Sequence, residues 1–352
     1  MADRVVVAMS GGVDSSAAAA LLLEAGYEVV GVTLRIWEPP QSKETKEDTP
    51  GVNDARRVAE KLGIPFYVVD FRETFTREVV KYFTDSYLQG MTPNPCVVCN
   101  NRVKFTALVR QARSLQADYI ATGHYARRGY DSTTERFTLR QGKDRQKDQS
   151  YVLFGLSQQQ LAKSIFPLGE YTKKEVRAIT RAQKIPTAGK PESQEICFIP
   201  DNDYGCFLQK HRPEAMQPGD IVDTGGRVLG RHKGVAFYTI GQRKGLGIGG
   251  GTPYYVVALR PEEQLVVVGK DEEVFRRECR VTGINWVSIS PPRSLFTAEV
   301  KIRYSARAAT AVIEPEGDGA WLRFFRPQRA VTPGQAAVFY RKDLVLGGGF
   351  IT

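Results

Sequence analysis

Four short, mostly apolar runs, rich in β-branched residues, recur through the first third of the chain. They cover residues 4–9 (RVVVAM), 27–36 (YEVVGVTLRI), 64–70 (IPFYVVD) and 117–122 (ADYIAT). Runs of this length and composition are typical of strands that are buried on both faces of a sheet. The pattern therefore predicts four strands of a buried, parallel sheet.

The segments between these runs repeat apolar residues at helical spacing. Residues 15–25, 53–62 and 75–87 each show this spacing, which predicts three helices. Residues 38–52 are polar and contain prolines, so we expect a mobile loop at the sheet edge there. Alternating strands and helices indicate an α/β fold with a doubly wound, mostly parallel, Rossmann-like sheet and right-handed crossovers.

The pattern changes after about residue 198. Residues 218–269 are rich in glycine and short strands, and from about residue 273 alternating strands (FTAEVKIRYS, TAVIEP, AWLRFF, QAAVFY) are separated by turns such as EGDG and TPGQ. This predicts a small all-β barrel or sandwich. We expect three domains: a catalytic domain over 1–205, a small central β-rich domain over 206–272, and a C-terminal β-barrel over 273–352.

Length and charge add two constraints. The 352 residues suffice for two or three domains, each with its own core. No stretch approaches the roughly 18 apolar residues of a membrane span, and MADR at the N-terminus is no signal peptide, so we expect a soluble, cytoplasmic protein that binds no membrane. The net charge of +10 makes a polyanion a plausible partner, but a nucleic-acid interpretation needs a local reason as well.

The sequence SGGVDSS, residues 10–16, stands between the first predicted strand and the first predicted helix. Such a turn points backbone N–H groups and the positive end of the helix dipole at one spot, and Gly11 and Gly12 let an anion approach closely. The spacing is neither that of G-x-x-x-x-G-K-[ST] nor that of G-x-G-x-x-G. Because Asp14 would repel a phosphate unless a cation intervened, we assign it to holding Mg²⁺ against a nucleotide. An ordinary glycine turn with a serine N-cap is the alternative.

A C-x-x-C pair, Cys96 and Cys99, lies in MTPNPCVVCNNRVKF, beside Arg102 and Lys104. Five cysteines in so long a chain do not suggest the disulfide framework of a small secreted domain. Positive neighbours lower the pKa of a thiol, so we expect reactive thiolates in this segment. A zinc half-site is the alternative.

Three further cysteines lie later in the chain. Cys197 follows a proline in KPESQEICFIP, a polar segment that we interpret as a loop with a reactive thiol. We interpret Cys206 and Cys279 as structural cysteines inside apolar elements and assign them no function.

SGGVDS resembles the pyrophosphate loop of the N-type ATP pyrophosphatases, which cleave ATP to AMP and pyrophosphate while adenylating a carbonyl oxygen. With the cysteine segments added, almost the whole chain resembles the tRNA-specific 2-thiouridylases, which thiolate the wobble uridine, position 34, of certain tRNAs. The resemblance rests on motifs in the same order: SGGVDSS at 10–16, TPNPCVVCN at 92–100, ATGHYAR at 121–127, KDQSYVL at 147–153, SQEICFIP at 193–200, GQRKGLG at 241–247 and KIRYSA at 301–306.

The resemblance implies a role for particular residues. The nucleotide site would comprise Ala8, Met9, Ser10, Gly11, Gly12, Val13, Asp14, Ser15, Leu34 and Gly123. The target base would lie against Asn94, Pro95 and Cys96, and the tRNA would contact Lys147, Asp148, Gln149, Arg303 and Tyr304. Cys99 takes the place of the family's nucleophile, and Cys197 takes that of the cysteine that receives a persulfide. ATP, Mg²⁺, the anticodon arm of tRNA and a sulfur donor, such as a cysteine desulfurase or a persulfide carrier, are the implied cofactors and partners.

One residue departs from the family pattern, because an aspartate follows Asn-Pro in well-known members and Cys96 stands here. Three cysteines can ligate a 4Fe–4S cluster whose fourth iron is open to sulfide. Two sulfur routes therefore remain: a Cys197 persulfide resolved by Cys99, which we favour, or a cluster held by Cys96, Cys99 and Cys197. The persulfide route leaves Cys99 and Cys197 as a disulfide that must be reduced.

Other polar residues suit contact with RNA. An unstacked wobble base is held by stacking and by hydrogen bonds to its edge, and the Asn94 amide suits a uracil edge. His124 is either a general acid or, as we favour, a structural neighbour of the nucleotide. Basic side chains that can face the phosphate backbone are Arg127, Arg128, Lys143, Arg145, Lys147, Lys173, Lys174, Arg231, Lys233, Arg243 and Lys244.

Two rival functions use the same nucleotide loop. An amidating ATP pyrophosphatase would transfer ammonia and needs no paired cysteines. A nucleotide-binding module without catalysis, such as a switch or an RNA chaperone, would consume no ATP.

Overall fold

The computed structural model describes residues 2–37, 49–191, 196–199, 203–249 and 253–352, which form three sheets and the helices packed on them. The strands are β1 Arg4–Ala8, β2 Glu28–Arg35, β3 Phe66–Asp70, β4 Tyr119–Ala121, β5 Ala126–Asp131, β6 Arg136–Gln141, β7 Ser164–Ile165, β8 Gly219–Asp223, β9 Val228–His232, β10 Tyr255–Arg260, β11 Leu265–Gly269, β12 Phe275–Asn285, β13 Phe296–Lys301, β14 Ala309–Glu316, β15 Gly319–Arg329, β16 Ala336–Arg341 and β17 Leu344–Ile351. The α-helices are α1 Val13–Glu24, α2 Pro50–Leu62, α3 Arg72–Phe75, α4 Lys81–Leu88, α5 Pro95–Val98, α6 Phe105–Ser114, α7 Gln158–Lys163, α8 Lys173–Ala182 and α9 Tyr204–His211.

The first sheet confirms the predicted α/β fold. Its order is β3-β2-β1-β4-β7 and all of its pairs are parallel. Val5, Val6 and Val7 of the central strand are fully buried, because helices cover both faces. The four apolar runs of the sequence all form strands of this sheet.

The predicted helices are present, with two differences. Helix α2 begins at Pro50, so the last residues of the predicted 38–52 loop are helical, while 38–48 lie outside the described residues. The predicted 75–87 helix is the end of a longer one, in which a π-helical turn, Thr76–Val80, joins α3 to α4. A π-helical turn adds a residue to the helical repeat, which apolar spacing alone does not predict.

The second sheet has the order β10-β11-β8-β9 and lies within the glycine-rich part of the chain. Ile221, Val256, Val266 and Val268 of its strands pack in one apolar cluster with Phe83 from α4. The central sheet thus shares a core with the first domain's helices.

The third sheet contains the predicted C-terminal strands in the order β12-β15-β14-β13-β16-β17-β6-β5, with an additional β12–β17 pairing that closes the barrel. Its last two strands, the β5–β6 hairpin, come from the first half of the chain, and Arg140 of β6 pairs with Leu344 of β17. The sequence did not predict this hairpin in the barrel, because strand partners 200 residues apart leave no local pattern. Among the described residues, no helix is both long and apolar enough to cross a membrane.

Candidate functional site: a nucleotide loop beside three thiols

The SGGVDSS turn joins β1 to α1 at the carboxyl edge of the first sheet. Gly11 adopts a φ of +72°, and a Cβ there would lie 2.2 Å from the carbonyl oxygen of Gly51. Helix α1 begins after Gly12 without a side-chain cap, so its first amides keep no side-chain acceptor. The Ser15 and Ser16 hydroxyls donate to the Gly12 carbonyl at 3.1 and 2.8 Å, which holds the turn in shape. Uncapped amides at a helix N-terminus form an anion site.

The strand order puts this turn at a switch point of the sheet. Strands β2 and β4 flank β1 on opposite sides, and ligands of open α/β sheets bind in the crevice at the carboxyl ends of such strands. Gly123, after β4, has no room for a side chain, because a Cβ would lie 2.8 Å from the Ser15 nitrogen. Leu34 stands near the end of β2, next to β1. The structure therefore gathers the residues assigned to the nucleotide at one edge.

The Asp14 carboxylate of this loop is hydrogen-bonded to side chains from other elements. Its carboxylate accepts two hydrogen bonds from Lys173 Nζ, at 2.7 and 2.8 Å, and one from the Tyr125 hydroxyl at 2.7 Å. Lys173 is buried, so the sequence-based placement of this lysine against a phosphate backbone is wrong. The assignment of Asp14 to Mg²⁺ stays a prediction, and a metal ion there would have to displace Lys173 from the carboxylate.

The C-x-x-C pair lies at the start of a helix that continues to residue 114. The Asn94 side chain caps it by accepting from the Val97 amide at 3.3 Å, and Pro95 occupies the first position, as both residue types favour. Cys96 is in α5, and Cys99 opens a π-helical turn, Cys99–Lys104, that leads into α6. Since π-helical turns occur frequently at functional sites, this irregularity supports a role for the segment.

The three predicted reactive thiols lie near each other. Burial raises the pKa of the Cys197 thiol, and Cys99 and then Cys96 raise it further by charge, so the three side chains are within electrostatic range of one another. Phe198, beside Cys197, packs in the same apolar cluster as Val98 and Cys99. Cys99 is buried, whereas Cys96 and Cys197 are exposed.

The expected lowering of the thiol pKa values is wrong. Loss of hydration raises the pKa of Cys96 and raises that of Cys197 to about 12, although part of each residue remains exposed to solvent. Burial also raises the pKa of Cys99. Lys104 opposes this rise at all three thiols, but loss of hydration outweighs a single cation. Arg102 is instead 3.8 Å from Glu78.

Lys104 also links the thiols to the nucleotide loop. It contributes, after burial, to a pKa of His124 far below the usual value, so this imidazole is neutral at physiological pH. His124 follows Gly123, stacks on Phe105 at 6.0 Å and shares a 2.8 Å hydrogen bond with the Thr122 hydroxyl. A neutral, enclosed imidazole favours the structural interpretation of His124 over the general acid.

Two cysteines were expected to be structural. Cys279 is buried in the barrel and its pKa rises to about 12, as expected of an inert thiol, but Cys206 is exposed on α9, so its predicted burial is wrong. In the part of the chain that the structure describes, no group of three or more His, Cys, Asp or Glu side chains is arranged to hold a metal ion. The structure therefore gives no support to the iron–sulfur alternative or the zinc half-site.

The residues assigned to tRNA meet where the barrel touches the first domain. The Tyr304 hydroxyl donates to the Asp148 carbonyl at 3.1 Å, and Lys301 stands over the Tyr304 ring at 5.7 Å. The Asp148 carboxylate is buried and accepts from the Gly142 and Ser150 amides, at 3.0 and 3.1 Å. Asp148 therefore stabilises the conformation of its own loop through these hydrogen bonds.

Gln149 likewise makes an internal contact, since its side-chain oxygen accepts from the Tyr125 amide at 3.0 Å. Arg303 is half-buried, and burial lowers the pKa of its guanidinium. Several of the basic side chains predicted to face RNA have internal partners: Arg127 with Asp343, Arg128 with the Ala162 carbonyl, and Lys143 with Glu175.

No pattern in the sequence indicated that Lys190 and Asp54 belong to the site. Lys190 Nζ donates to Asp54 Oδ2 at 2.5 Å and to the Gly11 carbonyl at 3.1 Å. No local pattern indicates these contacts, because the partners are 136 and 179 positions apart. The sequence also did not indicate Gln335, whose amide donates to the Thr92 carbonyl, just before Asn94, at 3.0 Å.

Comparisons with known proteins agree with this architecture. Residues 3–201 match the family model of the tRNA methyl transferase HUP domain, residues 205–270 that of the tRNA methyl transferase PRC-barrel domain, and residues 276–351 that of the aminomethyltransferase beta-barrel domain. The first sheet with its glycine loop thus belongs to a HUP domain.

Relatives that align with nearly the whole chain identify the family more specifically. The chain is 54% identical to the tRNA-specific 2-thiouridylase MnmA of Carboxydothermus hydrogenoformans, over 99% of this chain and 97% of the relative. It is 52% identical to that of Heliobacterium modesticaldum, over 100% and 93%. A solved 4-thiouridine synthetase–RNA complex with bound ATP aligns at 18% identity and a TM-score of 0.38, over 60% of this chain and 51% of that one, which is too weak to support an inference. The chain belongs to the tRNA-specific 2-thiouridylase family.

Proposed function

We propose that this chain thiolates C2 of the wobble uridine of tRNA, at position 34, and converts ATP to AMP and pyrophosphate in doing so. One observation supports the proposal: the charge of Lys104 acts on the Cys99 and Cys197 thiols and also on His124, and the adjacent Gly123 packs against Asp14 and Ser15 of the SGGVDSS turn. Activation of a carbonyl and delivery of sulfur need these two sites side by side.

Adenylation is the first step. The uracil O2 oxygen attacks the α-phosphorus of ATP, the bond from that phosphorus to the β-bridging oxygen breaks, and pyrophosphate leaves. Amides of Gly12, Val13 and Asp14 at the start of α1 suit the charge that develops on the departing pyrophosphate. The oxygen on C2, otherwise a poor leaving group, thereby becomes part of AMP, which leaves readily.

Magnesium would bind together with ATP, as a complex with the ATP phosphates. The donor set of the described residues fits a dedicated metal site poorly, since Lys173 and Tyr125 engage the Asp14 carboxylate. A magnesium ion on the phosphates supplies charge neutralisation. The Asp14–Lys173 pair itself orients the start of α1 towards the nucleotide.

Sulfur transfer is the second step. A protein donor, such as a cysteine desulfurase or a persulfide carrier, leaves a persulfide on Cys197. The terminal sulfur attacks C2, the C2–O bond breaks and AMP departs. Cys99 thiolate then attacks the Cys197 sulfur, which leaves the transferred sulfur on uracil as 2-thiouridine and joins Cys99 and Cys197 as a disulfide. A cellular dithiol returns two electrons and restores both thiols.

The raised thiol pKa values fit this order of events. Protonated thiols in the resting protein are weak nucleophiles and resist oxidation. The negatively charged tRNA and ATP do not activate them, whereas the positive charge of Lys104 favours the thiolate at all three. Cys99 therefore reacts only after the persulfide segment and the base are in place.

We place the tRNA anticodon arm across the junction of barrel and first domain. Asn94, Pro95 and Cys96 lie at the N-terminus of α5, beside the thiols, and are assigned to the unstacked base. Lys147, Arg303 and Tyr304 surround the same junction and are assigned to the backbone, while Asp148 and Gln149 hold the loop that presents Lys147.

The test uses three variants and two measurements. Cys99→Ser and Cys197→Ser each should abolish sulfur incorporation into tRNA, measured with radiolabelled sulfur, while retaining binding of an ATP analogue. Cys206→Ser is the matched control, at an exposed cysteine to which the proposal assigns no role, and should keep full activity. Thiolation by either site variant would contradict the assigned roles. Transfer of nitrogen to a small molecule, with no labelled sulfur entering tRNA, would contradict the proposed reaction.

The iron–sulfur alternative has a separate test. Protein purified without oxygen and free of iron should thiolate tRNA when supplied with a persulfide donor. Activity that requires iron and a brown chromophore would replace the persulfide route with a cluster on Cys96, Cys99 and Cys197.

A further inference from the structure

Lys301, the last residue of β13, holds its ammonium group against two tyrosine rings at the junction of the barrel and the first domain. Its Nζ atom lies 5.7 Å from the ring centroid of Tyr151 and 5.7 Å from that of Tyr304. Tyr151, from the first domain, is fully buried, whereas Tyr304, from the barrel, is 43% exposed. The ammonium therefore contacts one ring inside the protein and one ring that faces solvent.

This ammonium has lost water without gaining an anion. Burial lowers the pKa of Lys301, and the charge of Asp148 opposes this effect. Among the described residues, however, no carboxylate lies within ion-pair distance of Lys301. The Asp148 oxygens instead accept from the Gly142 amide, from the amide and the hydroxyl of Ser150, and from Gln141 Nε2. Two aromatic faces replace only part of the lost hydration, so the site favours an anion that comes from outside the chain.

The two tyrosines each lie near a residue that is assigned to the target base. Burial raises the pKa of Tyr151 and the Asn94 side chain opposes this rise by hydrogen bonding, so the Tyr151 hydroxyl is next to Asn94. Burial also raises the pKa of Tyr304, and the charges of Asp148 and then Cys96 raise it further, so Tyr304 is within electrostatic range of Cys96. The ammonium is thus one aromatic ring away from the place assigned to the base.

A second cation strengthens the positive potential at this junction. Arg303, two positions after Lys301, is half-buried, and burial and then the charge of Arg329 lower the pKa of its guanidinium. Partly desolvated cations this close in the chain disfavour each other's charge, and a polyanion compensates both. RNA is the polyanion that the proposed function brings to the junction.

We propose that Lys301 binds a phosphodiester that flanks the unstacked wobble uridine; this inference rests on the proposed function. A base that leaves its stack turns about its own backbone, so its flanking phosphates remain at the mouth of the pocket that the base enters. The neutral uracil ring offers no charge to an ammonium, and the ATP phosphates are assigned to the SGGVDSS turn. Lys301 would therefore hold the anticodon strand where the base reaches Asn94 and Cys96.

Binding of an anticodon-arm RNA that carries uridine at position 34 tests this contact without ATP or a sulfur donor. Lys301→Met should raise the dissociation constant, measured by fluorescence anisotropy, about five- to ten-fold, and lower the salt slope by about 0.7. Lys301→Arg, which keeps the charge, should stay within about three-fold of wild type. Lys342→Met is the matched control, at an exposed lysine in the β16–β17 turn of the same barrel, and should change the constant by less than about two-fold.

A modified RNA identifies the phosphate. The two phosphodiesters that flank position 34 are replaced, one at a time, by a neutral methylphosphonate on a 2′-O-methyl nucleotide. At one of the two positions the wild-type protein should lose about as much affinity as Lys301→Met loses with the unmodified RNA. Lys301→Met should lose nothing further there, because the two changes remove the same contact.

The melting temperature separates a contact from a role in folding. Since Lys301 forms no ion pair among the described residues, Lys301→Met should melt within about 2 °C of wild type. Should it melt lower, Lys301→Arg carries the test, because its affinity must fall with the neutral RNA as that of wild type does.

Three results would overturn the proposal: equal affinities of wild type and Lys301→Met, an equal loss in Lys342→Met, or additive losses with the neutral RNA. Failure of the proposed function looks different. If wild type thiolates no tRNA but the binding results hold, Lys301 remains an RNA contact and the reaction is rejected. If wild type thiolates tRNA and Lys301→Met binds RNA as tightly as wild type, the role of Lys301 alone is rejected.

Discussion

Lys173 Nζ lies 2.7 and 2.8 Å from the two carboxylate oxygens of Asp14, although the residues are 159 positions apart. Asp14 opens the first turn of α1 and Lys173 begins α8, where Thr172 and Glu175 form a capping box. The pair therefore joins two helix N-termini at the nucleotide loop. The acidic residue of the SGGVDSS turn has a lysine as its partner in the resting protein.

Removal of this lysine should destabilise the protein. Lys173→Met leaves the Asp14 carboxylate with only its Tyr125 hydrogen bond in a partly buried place, so we expect the free energy of unfolding to fall by about 1–3 kcal/mol. Urea unfolding at pH 7 measures it. The adjacent exposed Lys174→Met should change the value by less than about 0.5 kcal/mol. Equal values for the two variants would mean that the ion pair contributes nothing.

A glycine pair gives a matched test of the nucleotide loop. Gly11 and Gly26 both have positive φ, +72° and +85°, but only at Gly11 would a Cβ meet another atom, the Gly51 carbonyl oxygen at 2.2 Å. Gly26→Ala should cost about 1 kcal/mol of stability and leave ATP binding unchanged. Gly11→Ala should weaken binding of an ATP analogue at least about ten-fold by calorimetry, and comparable affinities in the two variants would remove the loop from the nucleotide site.

The raised thiol pKa values predict an unusual pH profile for alkylation. Because the pKa of Cys197 is about 12, its rate constant should rise about ten-fold per pH unit from pH 7 to pH 10 without a plateau. A free cysteine levels off above its ordinary pKa of about 8.5 under the same conditions. A plateau for Cys197 below pH 9 would contradict the desolvated environment.

The same pKa values link stability to pH with a definite sign. A group whose pKa is higher in the folded state binds its proton more tightly there, so its contribution is complete below the unfolded pKa of about 8.5 and is lost as pH rises toward the folded pKa. For Cys197 that range extends to about 12. The free energy of unfolding should therefore fall between pH 8 and pH 10, and by less in the Cys99→Ser/Cys197→Ser double variant. An equal fall in both proteins would assign the effect to other groups.

Gln335 connects the barrel to the cysteine segment. Its amide donates to the carbonyls of Thr92 and Pro93, at 3.0 and 3.3 Å, and the Thr92 amide donates to the Pro333 carbonyl at 2.8 Å. Gln335→Ala should lower kcat for thiolation several-fold and leave the KM for ATP unchanged. The reason is that a shift of the α5 N-terminus misplaces the target base more than it misplaces the nucleotide. Gln328→Ala is the control, because the Gln328 amide donates to the carbonyls of its neighbours Arg326 and Pro327. A raised KM for ATP at unchanged kcat would contradict this account.

Much of the first domain could be predicted from the sequence because its signals are local. Four apolar runs predicted four strands, and a glycine pair between strand and helix predicted the turn, in which the structure gives Gly11 a positive φ. The direction of the thiol pKa values could not be predicted in this way. Lys104 is visible beside Cys99 in the sequence, but the protein that excludes water comes from elsewhere in the chain, Phe198 among it.

The sequence by itself determined which segments become strands and helices and which residue types stand at the turn, since backbone propensity and side-chain spacing act over a few residues. Only the tertiary structure decided that β5 and β6 extend the barrel sheet beyond β17, that Lys173 neutralises Asp14, and that Lys190 contacts Gly11. These contacts join residues more than 100 positions apart, and burial, which sets their energies, depends on how the whole chain packs.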